Sequence, residues 1–350
     1  MPSADRGQDD TPGPMALLEM IHSGWMSQAI YVAARLGIAE ALAQGPRTVA
    51  ELADTVGADA DSLHRLLRAV TTLGLCAERA DGRFALTSFG GHLRSDAEAS
   101  VRSVALHWGG SMWPVWGTLL HSVKTGKSPR ALVTRKDTFE SLARNTEAAS
   151  TFNAAMTEIS RLMAEGVLHA YDFSGIGRIV DVGGGHGALL GAILRANPGM
   201  RGTLFDQPQV SAGAMRHLEA VGVAARCEVV PGSFFESVPG GADAWLLKSV
   251  LHDWSDERAR EILASCRRAM AGHGTLLVVE RVLPPQMEAC PEHRFLAASD
   301  LGMMVAVAGR ERTEAEFRAL FRSAGFTLTR IADSALLAAM RYRVIEGACS

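Results

Sequence analysis

The segment that most constrains this chain is a short apolar run followed by glycines, at residues 178–187 (RIVDVGGGHG). β-Branched residues lead into this turn and a leucine-rich stretch follows it, so the pattern predicts a buried strand that turns tightly into a helix. Glycines allow a ligand to approach the backbone, and the start of the helix offers unpaired N–H groups. The segment therefore predicts a nucleotide-type cofactor site in an α/β fold, at Gly183, Gly184 and Gly185.

Two carboxylates bear on which cofactor binds. Gly183-x-Gly185-x-x-Ala188 also fits the loose dinucleotide fingerprint, so NAD is an alternative. Asp181, beside the loop, would repel a pyrophosphate but attract the ammonium and sulfonium groups of S-adenosylmethionine, which favours that cofactor. Asp206 lies 19 residues after Gly187, where a doubly wound fold places an acidic residue against the ribose hydroxyls. A turn role before Pro208 is the alternative for Asp206.

Composition argues against several classes of protein. The 350 residues, 47% hydrophobic and 21% charged, are typical of a soluble enzyme with two domains. The apolar runs are shorter than the ~20 residues of a membrane span, and a net charge of −3 gives no general attraction to nucleic acid. Residues 1–14 are predicted to be a disordered tail rather than a signal peptide. Five scattered cysteines without a CxxC pair predict neither disulfides nor a zinc site, so we expect a cytoplasmic protein.

Residues 15–105 are predicted to form a small helical domain. Apolar residues at helical spacing predict a helix from Met15 to Leu42, ending near Gly45-Pro46. Residues 48–51 form a capping-box pattern that opens a short helix. A second helix over 59–73 and a hairpin over 75–86 complete a winged-helix arrangement. Such a unit binds DNA in some proteins, but the charges here are mixed and no dense basic stripe occurs, so a dimerisation or scaffold role is favoured.

The remaining chain is predicted to hold the catalytic body. Residues 106–170 form a helical linker and substrate-pocket region, in which a tryptophan cluster either packs in the core or lines an aromatic ligand site. Its members are Trp108, Trp113 and Trp116. Residues 171–350 alternate strands and helices, which predicts a parallel sheet covered on both faces. The strands are expected near 179–182, 203–205, 228–230, 244–247, 275–280, 327–331 and 342–345.

A histidine follows the fourth strand of this sheet, within residues 248–257 (KSVLHDWSDE). The carboxyl ends of strands face the ligand crevice in open α/β sheets, and an imidazole titrates near neutral pH, so His252 is a candidate general base. A loop histidine with satisfied hydrogen bonds is the alternative, and Asp253 or Ser255 is equally suited to capping the next helix. Lys248, polar at the end of an apolar strand, either extends to solvent or approaches the cofactor.

Four further candidate residues are predicted to lie at the carboxyl ends of strands or in the loops beside them. After the third strand, Ser233 suits an adenine contact or a turn cap, and Phe234 suits stacking on the purine or core packing. Glu280 ends the fifth strand. Glu311 lies between two arginines, just before a predicted helix that Thr313 would cap, and a glutamate flanked by arginines also fits a surface salt bridge. Two acids beside His252 would orient the imidazole and stabilise its protonated form.

In combination, these motifs resemble those of the S-adenosylmethionine-dependent small-molecule O-methyltransferases. That family includes caffeic acid and acetylserotonin O-methyltransferases and bacterial natural-product enzymes. The resemblance extends from about residue 15 to the C-terminus and rests on pieces that occur in order. They are Phe152-Asn153-x-x-Met156, Tyr171 to Gly175, Asp181 to Gly185, Asp206-x-Pro208, Gly232-x-Phe234, Lys248 to Trp254 and Gly309 to Thr313. The resemblance implies a Rossmann-like class I methyltransferase sheet with an N-terminal, winged-helix-like dimerisation domain, and hence a homodimer.

The resemblance also implies roles for individual residues. It makes His252 the base, flanked by Glu280 and Glu311. Cofactor contacts are implied for Gly183, Asp206, Phe234 and Lys248, and the methionines that sandwich the acceptor ring correspond to Met156 and Met303, with Asp253 beside the acceptor. Ser233 is a departure, because the family usually has aspartate at this adenine-facing position.

The expected reaction is in-line transfer of a methyl group to a hydroxyl that His252 deprotonates. The leaving group is a neutral thioether, so neither a general acid nor a metal is expected. The predicted pocket residues favour an apolar, aromatic acceptor without identifying it. Two alternatives stay open: use of the cofactor for hydroxylation or decarboxylation, against which His252 and its two glutamates argue, and a DNA-binding regulator with a cofactor sensor.

Overall fold

The computed structural model describes residues 13–129 and 146–350. The chain divides into two compact units, one ending at Gly110 and the other beginning at Ser111. The sequence placed a boundary at residue 105 and separated a segment 106–170, whereas the long helix of that segment belongs to the second unit. The tail predicted for residues 1–14 lies almost entirely outside the described residues.

The first unit is built from helices and one small hairpin. Helices α1 to α5 are Pro14–Leu36, Ile38–Leu42, Val49–Val56, Ala60–Thr72 and Arg102–Leu106, and strands β1 and β2 are Cys76–Glu78 and Phe84–Leu86. The prediction of one helix from Met15 to Leu42 is wrong, because Gly37 adopts a left-handed conformation (φ 71°) that ends α1 and starts α2. The capping box of α3, between Thr48 and Glu51, is confirmed.

The helices of this unit differ in how well their apolar side chains are covered. Leu63, Leu67 and Val70 lie on one face of α4 and pack in the core of the unit. In contrast, α1 exposes a row of large apolar side chains. Met15, Leu17, Ile21 and Trp25 are 66%, 62%, 64% and 63% exposed. A surface of this kind marks an interaction site more often than a solvated face.

The second unit contains one large sheet. Its strands β3 to β10 are Arg178–Val182, Arg201–Asp206, Cys227–Pro231, Ala244–Lys248, Thr275–Leu283, Arg312–Thr313, Phe326–Ala332 and Tyr342–Cys349. Their order across the sheet is β5-β4-β3-β6-β7-β10-β9, and β8 pairs with the end of β7. Every strand predicted for this region is present, and the short β8 is an addition that the sequence did not indicate.

The prediction of a parallel sheet is wrong at one edge. Strand β10 runs antiparallel to both β7 and β9, whereas β3 to β7 pair in parallel. Residues 333–341 alone join β9 to β10, and these are fewer than the dozen or more residues that a parallel crossover needs. The short connection therefore dictates the antiparallel edge.

Helices cover both faces of the sheet. In the second unit, α6 to α15 are Trp113–Trp116, Leu119–Thr125, Thr146–Ala170, Ala188–Ala196, Pro208–Ser211, Ala214–Ala220, Asp256–Met270, Pro291–Val307, Glu314–Ser323 and Ala335–Ala339. Successive residues of a strand point to opposite faces, so Ile179 joins one buried cluster with α8 and α9, and Val180 joins another with α12 and α14. None of the described helices combines the length and apolarity needed to cross a bilayer.

Candidate active site

The strand order reverses between β3 and β6, which lie side by side in the middle of the sheet. Ligands of open α/β sheets bind outside the carboxyl ends of the strands at such a reversal. The glycine loop leaves the carboxyl end of β3, and residues 248–252 leave that of β6. The two segments that the sequence singled out therefore meet at one crevice.

The glycine loop has a backbone that other residues would strain. Gly183 and Gly185 have φ values of 73° and 61°, in the left-handed region that side chains disfavour. A Cβ on Gly184 would lie 2.4 Å from a Leu204 methyl carbon and 2.5 Å from a carboxylate oxygen of Asp181. Helix α9 begins after the loop without a side-chain cap, so its first N–H groups are available to a ligand.

Asp181 lies beneath this loop rather than in the crevice. It is 1% exposed, and its Oδ1 has no hydrogen-bond partner among the described residues. Burial raises the pKa of Asp181 to about 7, although Lys248 opposes this effect. A carboxyl group that is partly protonated near neutral pH repels a pyrophosphate only weakly. The electrostatic argument for S-adenosylmethionine over NAD is therefore weaker than the sequence suggested.

Asp206 ends β4 and Lys248 ends β6, the two strands that flank β3, so both lie at the carboxyl edge of the sheet. Asp206 Oδ2 accepts the Gly185 N–H at 2.8 Å and its Oδ1 accepts the Gln207 N–H at 2.7 Å, and each oxygen keeps a second lone pair for a ligand hydroxyl. Burial lowers the pKa of Lys248, while Asp181 and other carboxylates act to raise it. Within the described part of the chain, the Lys248 amino group has no hydrogen bond or ion pair, so it is available to a ligand.

The turn after β5 places Ser233 and Phe234 differently. Ser233 Oγ accepts the Phe235 N–H at 3.3 Å, which is the turn-capping role. Phe234 is partly exposed, and its ring lies 3.7 Å from where a Cβ of Gly183 would stand. It packs edge-on against Trp254 with ring centroids 6.1 Å apart. Phe234 is thus a wall beside the glycine loop.

His252 lies on a short turn, Leu251–Asp253, that Glu280 organises. Glu280 Oε1 accepts the N–H groups of Val250, Leu251 and His252 at 2.9, 2.9 and 3.3 Å. Its Oε2 lies 3.0 Å from His252 Nδ1. The prediction that Glu280 ends its strand is wrong, because β7 continues to Leu283. Glu280 is fully buried within the strand, where it fixes the backbone of the turn and places its second oxygen at ion-pair distance from the His252 ring.

The segment 309–313 holds the same turn from another side. A Cβ on Gly309 would lie 2.0 Å from the carbonyl oxygen of His252, so the two backbones touch. The Arg310 N–H donates to that oxygen at 2.8 Å. These contacts fix the position of the His252 turn relative to the segment that carries Glu311.

Arg312 adds a buried guanidinium to this arrangement. It is 1% exposed and donates at 2.9 Å to the carbonyl oxygens of Leu251 and Trp254 and to Asp256. Thr313 then caps α14, as the sequence predicted. Since the guanidinium satisfies both carbonyl groups, the turn stays closed without help from solvent.

Glu311 is not a surface salt bridge, so that interpretation is wrong. The residue is 1% exposed, and its Oε1 lies 3.5 Å from His252 Nδ1 and 3.4 Å from Arg281 Nη1. Ser299 Oγ donates to the same oxygen at 2.7 Å. Burial acts to raise the pKa of Glu311, but His252 and Arg281 outweigh it and lower the pKa to about 2. The group is therefore ionised at neutral pH.

The pKa of His252 follows from these neighbours. Burial acts to lower it, but Glu280 and Glu311 outweigh burial and hold the pKa well above 6.5. Both glutamates lie at Nδ1, so Nδ1 keeps its proton and Nε2 is the atom that exchanges one. Nε2 lies 3.6 Å from Oδ1 of Asp253, whose pKa burial raises to about 6.

The two methionines predicted to contact an acceptor lie on separate helices of the second unit, whereas the predicted tryptophan cluster is divided between the two units. Met156 on α8 and Met303 on α13 are both partly buried. The Trp116 ring lies 3.7 Å from where a Cβ of Gly302 would stand, and therefore beside α13 near Met303. Trp113 is 41% exposed, and Trp108 belongs to the first unit.

Sequence reasoning missed the residues that support the glutamates. Arg281, Ser299 and Arg312 carry no local signal, and the Glu311 N–H donates to Asp300 at 2.8 Å, a contact that joins α13 to the segment before β8. An arginine beside a glutamate in sequence is typical of a solvent-exposed pair. Only burial distinguishes these arginines from exposed ones.

Three of these side chains also resemble a metal-ligand set. His252, Glu280 and Glu311 each offer a donor atom, and these atoms lie within 4.8 Å of one another. However, one oxygen of Glu280 is occupied by three N–H groups, and one oxygen of Glu311 by Ser299 and Arg281. The expectation that the protein works without a metal stays a prediction.

Comparison with known proteins adds independent information. Residues 116–327 match the O-methyltransferase domain, and residues 18–93 match the O-methyltransferase dimerisation domain. A phenazine O-methyltransferase from Lysobacter antibioticus is 42% identical over 319 residues, which cover 91% of this chain and 92% of that protein. Phenazine-1-carboxylate N-methyltransferase from Pseudomonas aeruginosa is 31% identical over 317 residues, covering 91% and 93%.

A solved structure agrees in fold. An O-methyltransferase from neocarzinostatin biosynthesis, in complex with S-adenosylmethionine and 2-hydroxy-5-methyl naphthoic acid, superposes with a TM-score of 0.77 at 33% identity. The match covers 93% of this chain and 96% of that one.

Proposed function

Because this chain belongs to the O-methyltransferase family, we propose that it transfers the methyl group of S-adenosylmethionine to a hydroxyl group of a small aromatic acceptor. The observation that carries the proposal is the His252 imidazole, held at Nδ1 by two buried glutamates at 3.0 and 3.5 Å. This arrangement leaves Nε2 to take a proton from the acceptor.

The crevice suits the proposed cofactor. The glycine residues 183–185 allow close approach, the uncapped start of α9 suits a carboxylate, and Asp206 has lone pairs for the ribose hydroxyls. We assign Phe234 to stacking against the adenine and Lys248 to a polar contact with the cofactor, with Ser233 at the adenine edge through its turn. When bound, S-adenosylmethionine supplies an electrophilic methyl group on a sulfonium.

In this proposal the chain itself contributes positioning and one proton transfer. Glu280 and Glu311 fix the ring plane of His252 and stabilise the imidazolium that forms when Nε2 takes the proton. A positioned base contributes roughly 10²–10⁴-fold, and orienting the hydroxyl contributes the rest. The step requires no metal and no general acid.

The acceptor is proposed to be aromatic. Met156 and Met303 offer polarisable side chains, Trp116 lies beside α13, and Asp253 stands 3.6 Å from Nε2 where a hydroxyl would approach. The aromatic ligand named in the superposed structure supports this choice. An amine acceptor is the second candidate, because a relative at 31% identity is an N-methyltransferase.

We further propose that the helical region 15–105 mediates a homodimer. The exposed apolar row on α1 and the match of residues 18–93 to a dimerisation domain support this role over DNA binding.

The side chains around the base bear on the type of reaction. His252 with both glutamates supports methyl transfer over hydroxylation or decarboxylation.

Substitution of the base tests the proposed reaction. His252→Ala is expected to reduce turnover by ~10²–10⁴-fold at neutral pH while changing the affinity for S-adenosylhomocysteine only a few-fold. Turnover should be measured with a panel of phenols from pH 6 to 10, and affinity by calorimetry. In the wild type the rate should rise as pH passes the raised pKa of His252, because only the deprotonated imidazole accepts a proton.

The exposed His273 provides a matched control, because it lies just before β7, at the amino edge of the sheet and opposite the carboxyl edge that carries the crevice. The His273→Ala variant should keep wild-type turnover. A His252→Ala enzyme with near wild-type rates at neutral pH would mean that the hydroxyl loses its proton by another route, or that the acceptor is not a hydroxyl.

A further inference from the structure

Arg281 follows Glu280 on β7 and contacts the other glutamate of the site. Its side chain is 13% exposed, and Nη1 lies 3.4 Å from Glu311 Oε1. We propose that Arg281 is a positioning residue, which holds Glu311 against His252 and supplies the positive charge that keeps Glu311 paired when the imidazole loses its proton. This inference rests on the proposed role of His252 as the base.

The charges that face His252 are unbalanced without Arg281. Glu280 approaches from β7, Glu311 from the segment before β8, and Asp253 from the His252 turn itself. Two groups stand one step further out: Asp300 on α13 accepts the Glu311 N–H, and Lys248 lies at the end of β6. Carboxylates thus outnumber cations around the imidazole.

Neighbouring arginines do not fill this role. Arg310 is directed to Asp256 and Glu316 at the surface, and Arg312 is occupied by two backbone carbonyl groups and Asp256. Of the guanidinium groups in the described residues, only that of Arg281 forms an ion pair with either glutamate. Compensation of the Glu311 charge by a guanidinium group therefore depends on this single side chain.

Aromatic side chains around Arg281 fix the position of its guanidinium group. Its guanidinium carbon lies 4.2 Å from the centre of the Tyr342 ring and 5.3 Å from that of Phe295, so aromatic faces on two elements hold the group. Tyr342 contacts the segment between β6 and the His252 turn, because Ser249 Oγ donates to its hydroxyl at 3.2 Å. A planar guanidinium fits this place, whereas an ammonium lacks the stacking face.

Loss of Arg281 is expected to shift the pKa of His252 in one direction only, upward. Two fully buried carboxylates are costly unless a positive charge stands beside them. With Arg281 present, neutral His252 leaves Glu311 paired, so the proton can depart. Without Arg281, the imidazolium would be the only cation among the described residues left within ion-pair distance of the two carboxylates, and His252 would hold its proton to higher pH.

The test compares Arg281→Met, which removes the charge, with Arg281→Lys, which keeps it. The pKa of His252 is measured by NMR titration of enzyme labelled with ¹³C at the histidine Cε1 positions, with the signal assigned from His252→Gln. Arg281→Met should raise the pKa of His252 by about one unit, move the acid limb of the turnover profile by the same amount, and lower turnover ~10-fold near neutral pH. Arg281→Lys should shift the pKa by less than half as much.

Arg341→Met is the matched control. Arg341 also stacks on Phe295, at 5.4 Å, but forms no ion pair with a glutamate of the site, so the variant should leave the pKa of His252 and turnover unchanged. If Arg281→Met does not fold, as judged by its melting curve, Arg281→Gln takes its place with the same expected shift.

An unchanged or lowered pKa of His252 in Arg281→Met, with turnover reduced equally at every pH, would overturn the proposal and leave Arg281 a purely structural side chain. The titration does not depend on turnover. Failure of the proposed function would therefore appear in a different experiment, in which the His252→Ala variant keeps its turnover.

Discussion

Gly309→Ala adds one methyl group at the contact between segment 309–313 and the His252 turn. Gly309 is outside the left-handed region, so alanine introduces no backbone strain of its own. The new Cβ would lie 2.0 Å from the His252 carbonyl oxygen and 2.7 Å from the Asp253 carbonyl carbon. Both partners are backbone atoms, which cannot rotate away as a side chain does.

The size of the effect follows from these distances. A carbon and a carbonyl oxygen rest at roughly 3.2 Å or more, so the two segments must separate by about 1 Å. That movement lengthens the 2.8 Å hydrogen bond from Arg310 N–H to His252 and draws Glu311 away from the imidazole. A displacement of ~1 Å in a catalytic group costs ~10²-fold in rate, and overpacking of this kind costs ~1–3 kcal/mol of stability.

We therefore expect Gly309→Ala to lose about 10²-fold in turnover while its affinity for S-adenosylhomocysteine stays within a few-fold, because the glycine loop is untouched. Turnover at saturating cofactor, calorimetry and a melting curve provide the three measurements. Gly199→Ala is the control: no atom lies within 4 Å of its Cβ position, so both turnover and melting temperature should match the wild type.

Wild-type turnover in Gly309→Ala would refute this reasoning. It would mean that the His252 turn moves by an ångström without loss, and that its position relative to Glu311 is not what the segment 309–313 provides. A melting temperature below 37 °C would require the turnover comparison at lower temperature, where a loss of less than tenfold would refute it equally.

Three further outcomes are expected. Asp206→Ala should weaken S-adenosylhomocysteine binding by ~1.5–3 kcal/mol in calorimetry, because it removes the proposed ribose contact and the hydrogen bond that anchors Gly185. Unchanged affinity in this variant, or tight NAD binding by the wild type, would contradict the cofactor assignment. Treatment with EDTA should leave turnover unchanged, whereas a loss that a divalent cation restores would place a metal in the site. Light scattering should give the mass of a dimer at micromolar concentration, and a monomer there would remove the role proposed for α1.

The sequence by itself determined the features that depend on neighbours along the chain. Three glycines after a β-branched strand predicted a tight turn, and the turn is present, with left-handed backbone angles at Gly183 and Gly185. The caps at Thr48 and Thr313 are local hydrogen bonds, and their patterns predicted them correctly. The ordered motifs also sufficed for the family, which the match over residues 116–327 confirms.

Only the tertiary structure decided the features that depend on residues far apart in sequence. The direction of β10 depends on the length of the β9–β10 connection and on pairing with β7. The burial of Asp181 under Gly184 and the burial of Glu311 against Arg281 both change how those carboxyl groups titrate. A pKa reflects the charges and the solvent around a group in three dimensions. The sequence therefore named the histidine and its glutamates, but the charge state of the site follows from packing alone.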